Sequence, residues 1–204
     1  ELLNKNINPV VYSQGSLGAS GDLAPLSHMA LPLIGLGEVV YQGKTMSSLE
    51  AFKLANVEPL KHLQAKEGLS LINGTQAMTS VGAVALIEGY KLLKISEYTL
   101  AITMEALTGI DDVYFHKIHE LRNQTGQIQI AKDMIEILEG SKLITKQGQL
   151  RIQDAYTLRC SPQVLGASLD ALNHVEKIIE NEMNAVTDNP LVFVDEKRVI
   201  SAGN

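Results

Sequence analysis

The triplet Ala19-Ser20-Gly21 could perform chemistry that no standard side chain provides. Glycine has no Cβ and readily adopts φ > 0, so the backbone at Gly21 can fold back sharply. The Gly21 nitrogen could then attack the carbonyl carbon of Ala19 and close a five-membered ring. Loss of water from the ring, with loss of the Ser20 hydroxyl as a second water, would leave a conjugated exocyclic methylene. The triplet is therefore a candidate precursor of a protein-derived electrophile, and the alternative is an ordinary turn.

Two familiar motifs do not account for this glycine-rich segment. A phosphate-binding Walker loop ends in Gly-Lys-Ser/Thr, whereas Gly21 is followed by Asp22. A nucleophile elbow requires Gly-x-Ser-x-Gly, and Asp22 occupies the position of its last glycine. The segment therefore indicates neither a nucleotide-binding loop nor a hydrolase serine.

A second group of polar residues lies far downstream. Gln153, Tyr156 and Arg159 are spaced i, i+3 and i+6, which predicts that they lie along one side of a helix. A guanidinium binds a carboxylate through paired hydrogen bonds, and a phenol can exchange a proton, so the set could receive an amino acid. The alternative is an exposed polar helix face. Asn73, just before Gly74, could likewise be a simple helix cap or turn residue.

Residues 18–28, GASGDLAPLSH, resemble the signature of the histidine and aromatic amino-acid ammonia-lyases. That family cyclises Ala-Ser-Gly into 4-methylidene-imidazol-5-one (MIO). Three further segments match in the family's order: 66–76 (KEGLSLINGTQ), 153–164 (QDAYTLRCSPQV) and 181–191 (NEMNAVTDNPL). Because the four matches are spread over nearly the whole chain and one is chemically unusual, the chain is identified as a member of this family.

The resemblance implies a role for each candidate residue. MIO formed from Ala19, Ser20 and Gly21 would be the electrophile that captures the substrate amine, with no external cofactor. Positioned side chains would act on the remaining groups: Arg159 anchors the carboxylate, Gln153 and Asn73 orient polar groups, with Asn73 hydrogen-bonded to the ring region and the substrate, and Tyr156 assists at the amine or in proton transfer.

The implied reaction is elimination of ammonia from L-histidine to give urocanate. Residues 159–166 and 181–185 look closer to the histidine branch than to the phenylalanine branch. Three alternatives stay open: a phenylalanine or tyrosine ammonia-lyase, an MIO aminomutase, and a non-catalytic helical scaffold related by descent.

The resemblance also implies that the 204 residues are an internal fragment. The family's principal catalytic tyrosine and its substrate-recognising histidine would precede residue 1, and further active-site residues would follow residue 204. The family assembles as a homotetramer whose active sites draw on several subunits. We therefore expect the fragment alone to be inactive and the full-length protein to be a homotetramer that binds a small amino acid.

Composition narrows the setting of this chemistry. The net charge is −6, which argues against nucleic-acid and anionic-membrane partners. The single cysteine, Cys160, excludes an internal disulfide and is typical of a reducing cytosol, so we expect a cytoplasmic location. No apolar run reaches membrane-spanning length. Aromatic residues make up 4% and Trp is absent, so the core must be largely aliphatic, as in packed helices.

The elements that position these residues are predicted to be mainly α. The expected fold is a helical bundle of the ammonia-lyase and fumarase-like type with small β-hairpins. Residues 1–75 would belong to the MIO-bearing N-terminal region, and 76–204 to the central helical domain with a terminal hairpin. Asp22 is the expected N-cap of a helix over 23–31. A long helix over 76–107 is apolar around most of its circumference, which predicts burial within the bundle.

Shorter patterns give the remaining elements. Asn8-Pro9 predicts a turn, Gly43 a hairpin, and Ser47 with Glu50 a capping box. Further helices are predicted over 116–121, 126–138 and 162–186, and a last hairpin over 191–200. His116 and His119 lie at i, i+3, but without a further ligand set around them we expect a solvated pair and no metal site. Five methionines are expected to fill the core: Met29, Met78, Met104, Met134 and Met183.

Overall fold

The computed structural model describes residues 1–17 and 21–202, so Ala19 and Ser20 of the triplet lie outside the described residues. The chain forms two compact units. The first comprises Glu1–Val81 with Asn181–Asn204, and the second comprises Gly82–Glu180. The assignment of 1–75 and 76–204 to two regions of a larger protein stays a prediction.

The first unit combines short helices with two small sheets. Its elements are a 3₁₀ helix (Leu3–Lys5), β1 (Asn8–Pro9), α1 (Leu23–Ala30), a 3₁₀ helix (Leu31–Ile34), β2 (Glu38–Tyr41), β3 (Lys44–Ser47), α2 (Ser48–Ala55), α3 (Glu67–Ile72), β4 (Leu191–Phe193) and β5 (Arg198–Ile200). Strands β1, β2 and β3 form an antiparallel sheet in that order, and β4 pairs with β5. Ile7, Val39 and Phe52 form its buried apolar cluster with neighbouring residues.

Local signals explain most of these elements. The predicted capping box begins α2, since the Ser47 hydroxyl accepts a hydrogen bond from the Glu50 backbone N–H at 3.3 Å. The predicted turn at Asn8-Pro9 is wrong, because both residues pair with β2. Proline is tolerated there since β1 lies at the sheet edge, where an N–H is not needed on the open side.

The second unit is a helical bundle, which confirms the predicted fold class. The long helices α4 (Gln76–Ala106) and α8 (Ser161–Met183) begin or end in the first unit, and most of each lies in the second. Its other elements are a 3₁₀ helix (Asp111–Tyr114), α5 (His116–Arg122), α6 (Thr125–Ile137) and α7 (Tyr156–Arg159). Met104, Tyr114, Ile130 and Met134 are fully buried in its core. Helices α6 and α8 approach closely at Gly126 and Gly166, where a Cβ would collide with the facing backbone.

The predicted burial of α4 is wrong for much of its length. Val81, Val84 and Ile102 are 71%, 61% and 67% exposed. The helix itself is within one residue of its predicted end, because its composition favours a helix whatever covers it. Exposed apolar residues on successive turns leave a face that the residues described by the structure do not cover.

Two smaller predictions are also corrected. His119 is buried rather than solvated: its Nε2–H donates to the Val113 carbonyl at 2.9 Å, and its Nδ1 accepts from Gln127 at 2.9 Å. Burial lowers the pKa of His119, since the charged ring would lose its hydration. Of the five methionines, Met104 and Met134 are buried, whereas the other three are exposed or half-exposed: Met29, Met78 and Met183.

Neither a metal site nor a membrane-spanning helix is found in the part of the chain that the structure describes. Within residues 1–17 and 21–202, no group of His, Cys, Asp and Glu side chains is placed to hold a metal ion. No helix in those ranges combines the length and the hydropathy needed to cross a bilayer.

Candidate active site

A cavity of about 1290 Å³ opens in the first unit next to the start of α1. Gly21, the last residue of the triplet, lines it together with Asp22. The lining also includes Asn73 and Gly74, and from the end of the chain Asn189 and Ala202. The cavity therefore brings together Gly21 and Asn73, two residues that sequence analysis had assigned to the same site.

Gly21 has a backbone that an L-residue with a side chain adopts only with strain. Its φ is +74°, in the left-handed region that favours glycine. A Cβ at this position would lie 3.0 Å from the Gly74 carbonyl oxygen and 3.2 Å from the Gly74 nitrogen. Glycine is thus required twice at position 21, for the bend and for the close approach of two backbones. The absence of a side chain at Gly21 also leaves its nitrogen unhindered, which attack on the Ala19 carbonyl would require.

Asp22 occupies the N-cap position of α1, as predicted, but its carboxylate has a different partner. It accepts a hydrogen bond from the Ser16 hydroxyl, and among the described residues it makes no side-chain bond to the first turn of α1. The carboxylate is buried and lines the cavity. This hydrogen bond therefore connects Ser16 and Asp22, which lie on either side of the triplet in the sequence.

The side chain of Asn73 is held by residues from the other end of the chain. Its Nδ2 donates to the Asn189 carbonyl oxygen at 2.9 Å and to Asp188 Oδ1 at 3.3 Å. Both partners are pure acceptors, so the amide nitrogen must face them, and within residues 1–17 and 21–202 the Oδ1 has no hydrogen-bond partner. Asn73 also ends α3 with a non-helical backbone, so it is the turn residue that its sequence context predicts.

Asp188 is the centre of this polar cluster. Its Oδ2 accepts hydrogen bonds from Lys66 Nζ, which also forms an ion pair with it, and from Ser70 Oγ at 2.7 Å. Its Oδ1 accepts from the Asn189 N–H at 2.7 Å as well as from Asn73. The bonds from Lys66, followed by those from Ser70 and the other donors, lower the pKa of Asp188 to about 2. The carboxylate is therefore charged throughout the neutral range.

Gln153, Tyr156 and Arg159 belong to the second unit, and only two of them share a helix. The helix α7 has four residues and begins at Tyr156, so the prediction that Gln153 lies on the same helix is wrong. The reason is Asp154, whose buried carboxylate accepts the Ile110 N–H at 2.6 Å and pairs with Arg151. These bonds hold the chain in a non-helical path just before α7.

Arg159 and Tyr156 are brought into contact. The guanidinium lies over the Tyr156 ring, 4.8 Å from its centroid. The Arg159 Nε is buried and has no hydrogen-bond partner among the described residues. A buried donor without an acceptor is costly, so this guanidinium is suited to an anionic group supplied from outside the described chain.

Sequence reasoning missed Lys66, Ser70 and Asp188 as site residues. Each lies inside a segment that carries the family resemblance. The available signal was the pairing of a lone lysine in one such segment with a lone aspartate in another. Their contact spans more than a hundred residues, so only the fold could establish it.

The chain is thus mainly helical, with a glycine-lined cavity in its first unit and, in its second, an Arg159 Nε that has no hydrogen-bond partner among the described residues. The whole chain, residues 1–204, matches the family described as aromatic amino acid lyase, and the chain belongs to that family. It is 53% identical over 204 residues to a histidine ammonia-lyase of Alkaliphilus oremlandii and 56% identical to one of Shouchella clausii. Both alignments cover 100% of this chain, which spans 40% and 41% of the two relatives.

Solved structures agree with the fold. A phenylalanine aminomutase of Pantoea agglomerans superposes with a TM-score of 0.88 at 32% identity, over 99% of this chain and 42% of that one. A histidine ammonia-lyase of Trypanosoma cruzi gives a TM-score of 0.81 at 36% identity, over 99% of this chain and 37% of that one. The predicted fold class and family are thereby confirmed.

Proposed function

We propose that this chain is part of an ammonia-lyase that eliminates ammonia from L-histidine to give urocanate. The observation that carries the reaction class is the backbone of Gly21, bent at φ +74° and packed on Gly74 in a cavity that Asn73 also lines. The choice of histidine is supported by relatives above 50% identity that bear the name histidine ammonia-lyase.

We propose MIO as the electrophile, formed from Ala19, Ser20 and Gly21. When formed, it supplies an electron-poor carbon that can accept the substrate amine and make it a better leaving group. The residues present fit this group. Gly21 has no side chain to hinder its nitrogen in ring closure, and Asn73 lines the same cavity.

The chain's own residues would bind and orient the amino acid. Arg159 would hold the carboxylate through its guanidinium, which stacks on Tyr156 and whose Nε has no hydrogen-bond partner among the described residues. Asn73 Oδ1 would accept a hydrogen bond from the amine N–H of the substrate. Tyr156 would assist at the amine or in proton transfer, and Gln153 would orient polar groups.

We propose that the full-length protein is a homotetramer, is located in the cytoplasm and requires no external cofactor. The exposed apolar residues along α4 support assembly, since such a face is stable in water only when covered. Other copies of the protein would cover it. The 204 residues alone would therefore lack both partners and activity.

The test is turnover by the full-length protein, offered L-histidine, L-phenylalanine and L-tyrosine separately. Absorbance of the conjugated product and release of ammonia are measured together. We expect both signals with L-histidine and neither with the isolated 204 residues. Conversion of an aromatic substrate to its β-amino isomer without ammonia would identify an aminomutase instead, and no turnover of any substrate would favour a scaffold.

A further inference from the structure

One carboxylate, that of Asp188, accepts hydrogen bonds from donors in two separate segments of the first unit. Lys66 and Ser70 come from the start and middle of α3, Asn73 from its end, and the Asn189 N–H from the segment after α8. The side chain is only 15% exposed. A half-buried carboxylate with a cation and several other donors is a preorganised centre, because each partner limits the freedom of the others.

Asp188 is also connected, through its neighbour Asn189, to the part of the cavity lining near the end of the chain. Asn189 follows Asp188 directly, and its Oδ1 accepts the Ala202 N–H at 2.8 Å while its Nδ2 donates to Ser201 Oγ at 3.2 Å. Asn189 and Ala202 line the cavity together with Asn73. Asp188 thus connects Asn73 on one side to the 201–202 segment on the other, yet it is absent from the cavity lining itself.

The Asp188 carboxylate and the Asn189 carbonyl together orient the Asn73 amide. Both accept a hydrogen bond from its Nδ2, at 3.3 Å and 2.9 Å, and neither can bond its Oδ1. An asparagine at 188 would offer a donor in place of one of these acceptors, and only the Asn189 carbonyl would then hold the amide nitrogen. The charge of Asp188, balanced by Lys66, therefore adds to the constraint on a side chain whose two orientations have nearly the same shape.

We propose that Asp188, supported by Lys66 and Ser70, is a positioning residue that fixes the Asn73 amide with its oxygen free at the reaction site. This inference rests on the proposed function, in which Asn73 contacts the substrate or the ring. Asp188 acts through Asn73, so its effect must disappear when the Asn73 side chain is absent.

The experiment is a double-mutant cycle in the full-length protein, with wild type, Asp188→Asn, Asn73→Ala and the double variant. Steady-state kinetics with L-histidine are combined with intact mass, which reports ring formation as a deficit of two waters, and with the thermal midpoint. We expect Asp188→Asn to lower kcat by about tenfold or more, with KM changed by less than about threefold and the mass deficit retained. In the Asn73→Ala background the same change should lower kcat by less than about twofold.

The matched control is Asp111→Asn, which also removes an aspartate paired with a lysine, Lys146, but belongs to the second unit. Its kcat should equal that of wild type. Equal losses from Asp188→Asn in both backgrounds, or loss of the mass deficit in that variant, would overturn the proposal, since Asp188 would then act on folding or ring formation.

A milder variant keeps the proposal testable if Asn73→Ala has no measurable turnover. Ser70 is exposed, and Ser70→Ala removes one bond to Asp188 without removing charge. It should lower kcat by about two- to fivefold with an unchanged thermal midpoint, and an unchanged kcat would refute the positioning role.

Wild-type protein without the mass deficit and without turnover would overturn the proposed function and this inference together. An active wild type in which Asp188→Asn causes equal losses in both backgrounds would overturn this inference alone.

Discussion

Replacement of Gly21 by alanine tests the backbone geometry on which the proposed chemistry rests. A Cβ at Gly21 would face two penalties. The left-handed conformation at φ +74° costs a residue with a side chain about 1–2 kcal/mol. The 3.0 Å approach to the Gly74 carbonyl oxygen adds crowding of about 1–3 kcal/mol, because the obstacle is backbone and not a movable side chain.

The chain offers a matched control in Gly43. Its φ is +75°, yet among the described residues nothing lies within 4 Å of an added Cβ. Gly43→Ala should therefore lose only the conformational cost, about 1–2 kcal/mol. Gly21→Ala should lose about 2–5 kcal/mol in total.

The assay is urea denaturation of the two variants and wild type in the full-length protein, followed by circular dichroism, with intact mass measured on the same samples. We expect Gly21→Ala to be the less stable variant and to lack the deficit of two waters, and Gly43→Ala to retain it. Equal losses of stability at the two positions, or a Gly21→Ala protein that still cyclises, would refute the reasoning.

Four further predictions concern packing, charge and binding. Gly166→Ala places a Cβ 2.5 Å from the backbone of α6 and should cost about 3 kcal/mol or more in urea denaturation; a loss below about 1 kcal/mol would contradict the close approach. Burial lowers the pKa of His119 in the folded state, so on acidification the unfolded state binds a proton at a higher pH than the folded state does. The free energy of unfolding should therefore decrease as the pH drops below about 6.5, by at most ~1.4 kcal/mol per pH unit. The His119→Gln variant should show a smaller decrease. The pKa of Asp188 is lowered to about 2, chiefly by Lys66. The ionised carboxylate therefore contributes fully to the free energy of unfolding above roughly pH 4, and this contribution is lost towards pH 2. The Asp188→Asn variant should lack this part of the pH dependence of stability. Arg159→Lys should raise KM for the amino acid by about tenfold in steady-state kinetics, because an ammonium cannot reproduce paired hydrogen bonds to a carboxylate, and an unchanged KM would exclude Arg159 from carboxylate binding.

Local patterns in the sequence predicted most of the elements. The long helix α4 ends one residue before its predicted end, and the Ser47 cap begins α2 as its spacing indicates. Such features depend on residues within one or two helical turns, so they can be predicted from the local sequence. Long-range features were harder: the burial of α4 was overestimated, because a pattern shows that a helix face is apolar but not which chain covers it.

The candidate site was predictable where the backbone alone determines it. The need for glycine at position 21 follows from the chemistry of ring closure, and the fold adds the second reason, contact with Gly74. The polar centre at Asp188 could not be predicted, since its lysine and asparagine partners are more than a hundred residues away in sequence. Gln153 was placed on the wrong element because the competing bonds of Asp154 are not visible in a spacing rule.

The central claim is that the backbone at Ala19-Ser20-Gly21 becomes the electrophile of the full-length enzyme. Intact-mass measurement of that protein, beside its Ser20→Ala variant, tests the claim most directly. We predict that the wild-type mass is lower than the sequence mass by two waters, and that the variant lacks this deficit and all turnover of L-histidine. A wild-type protein that converts L-histidine while its mass equals the unmodified sequence would contradict the account.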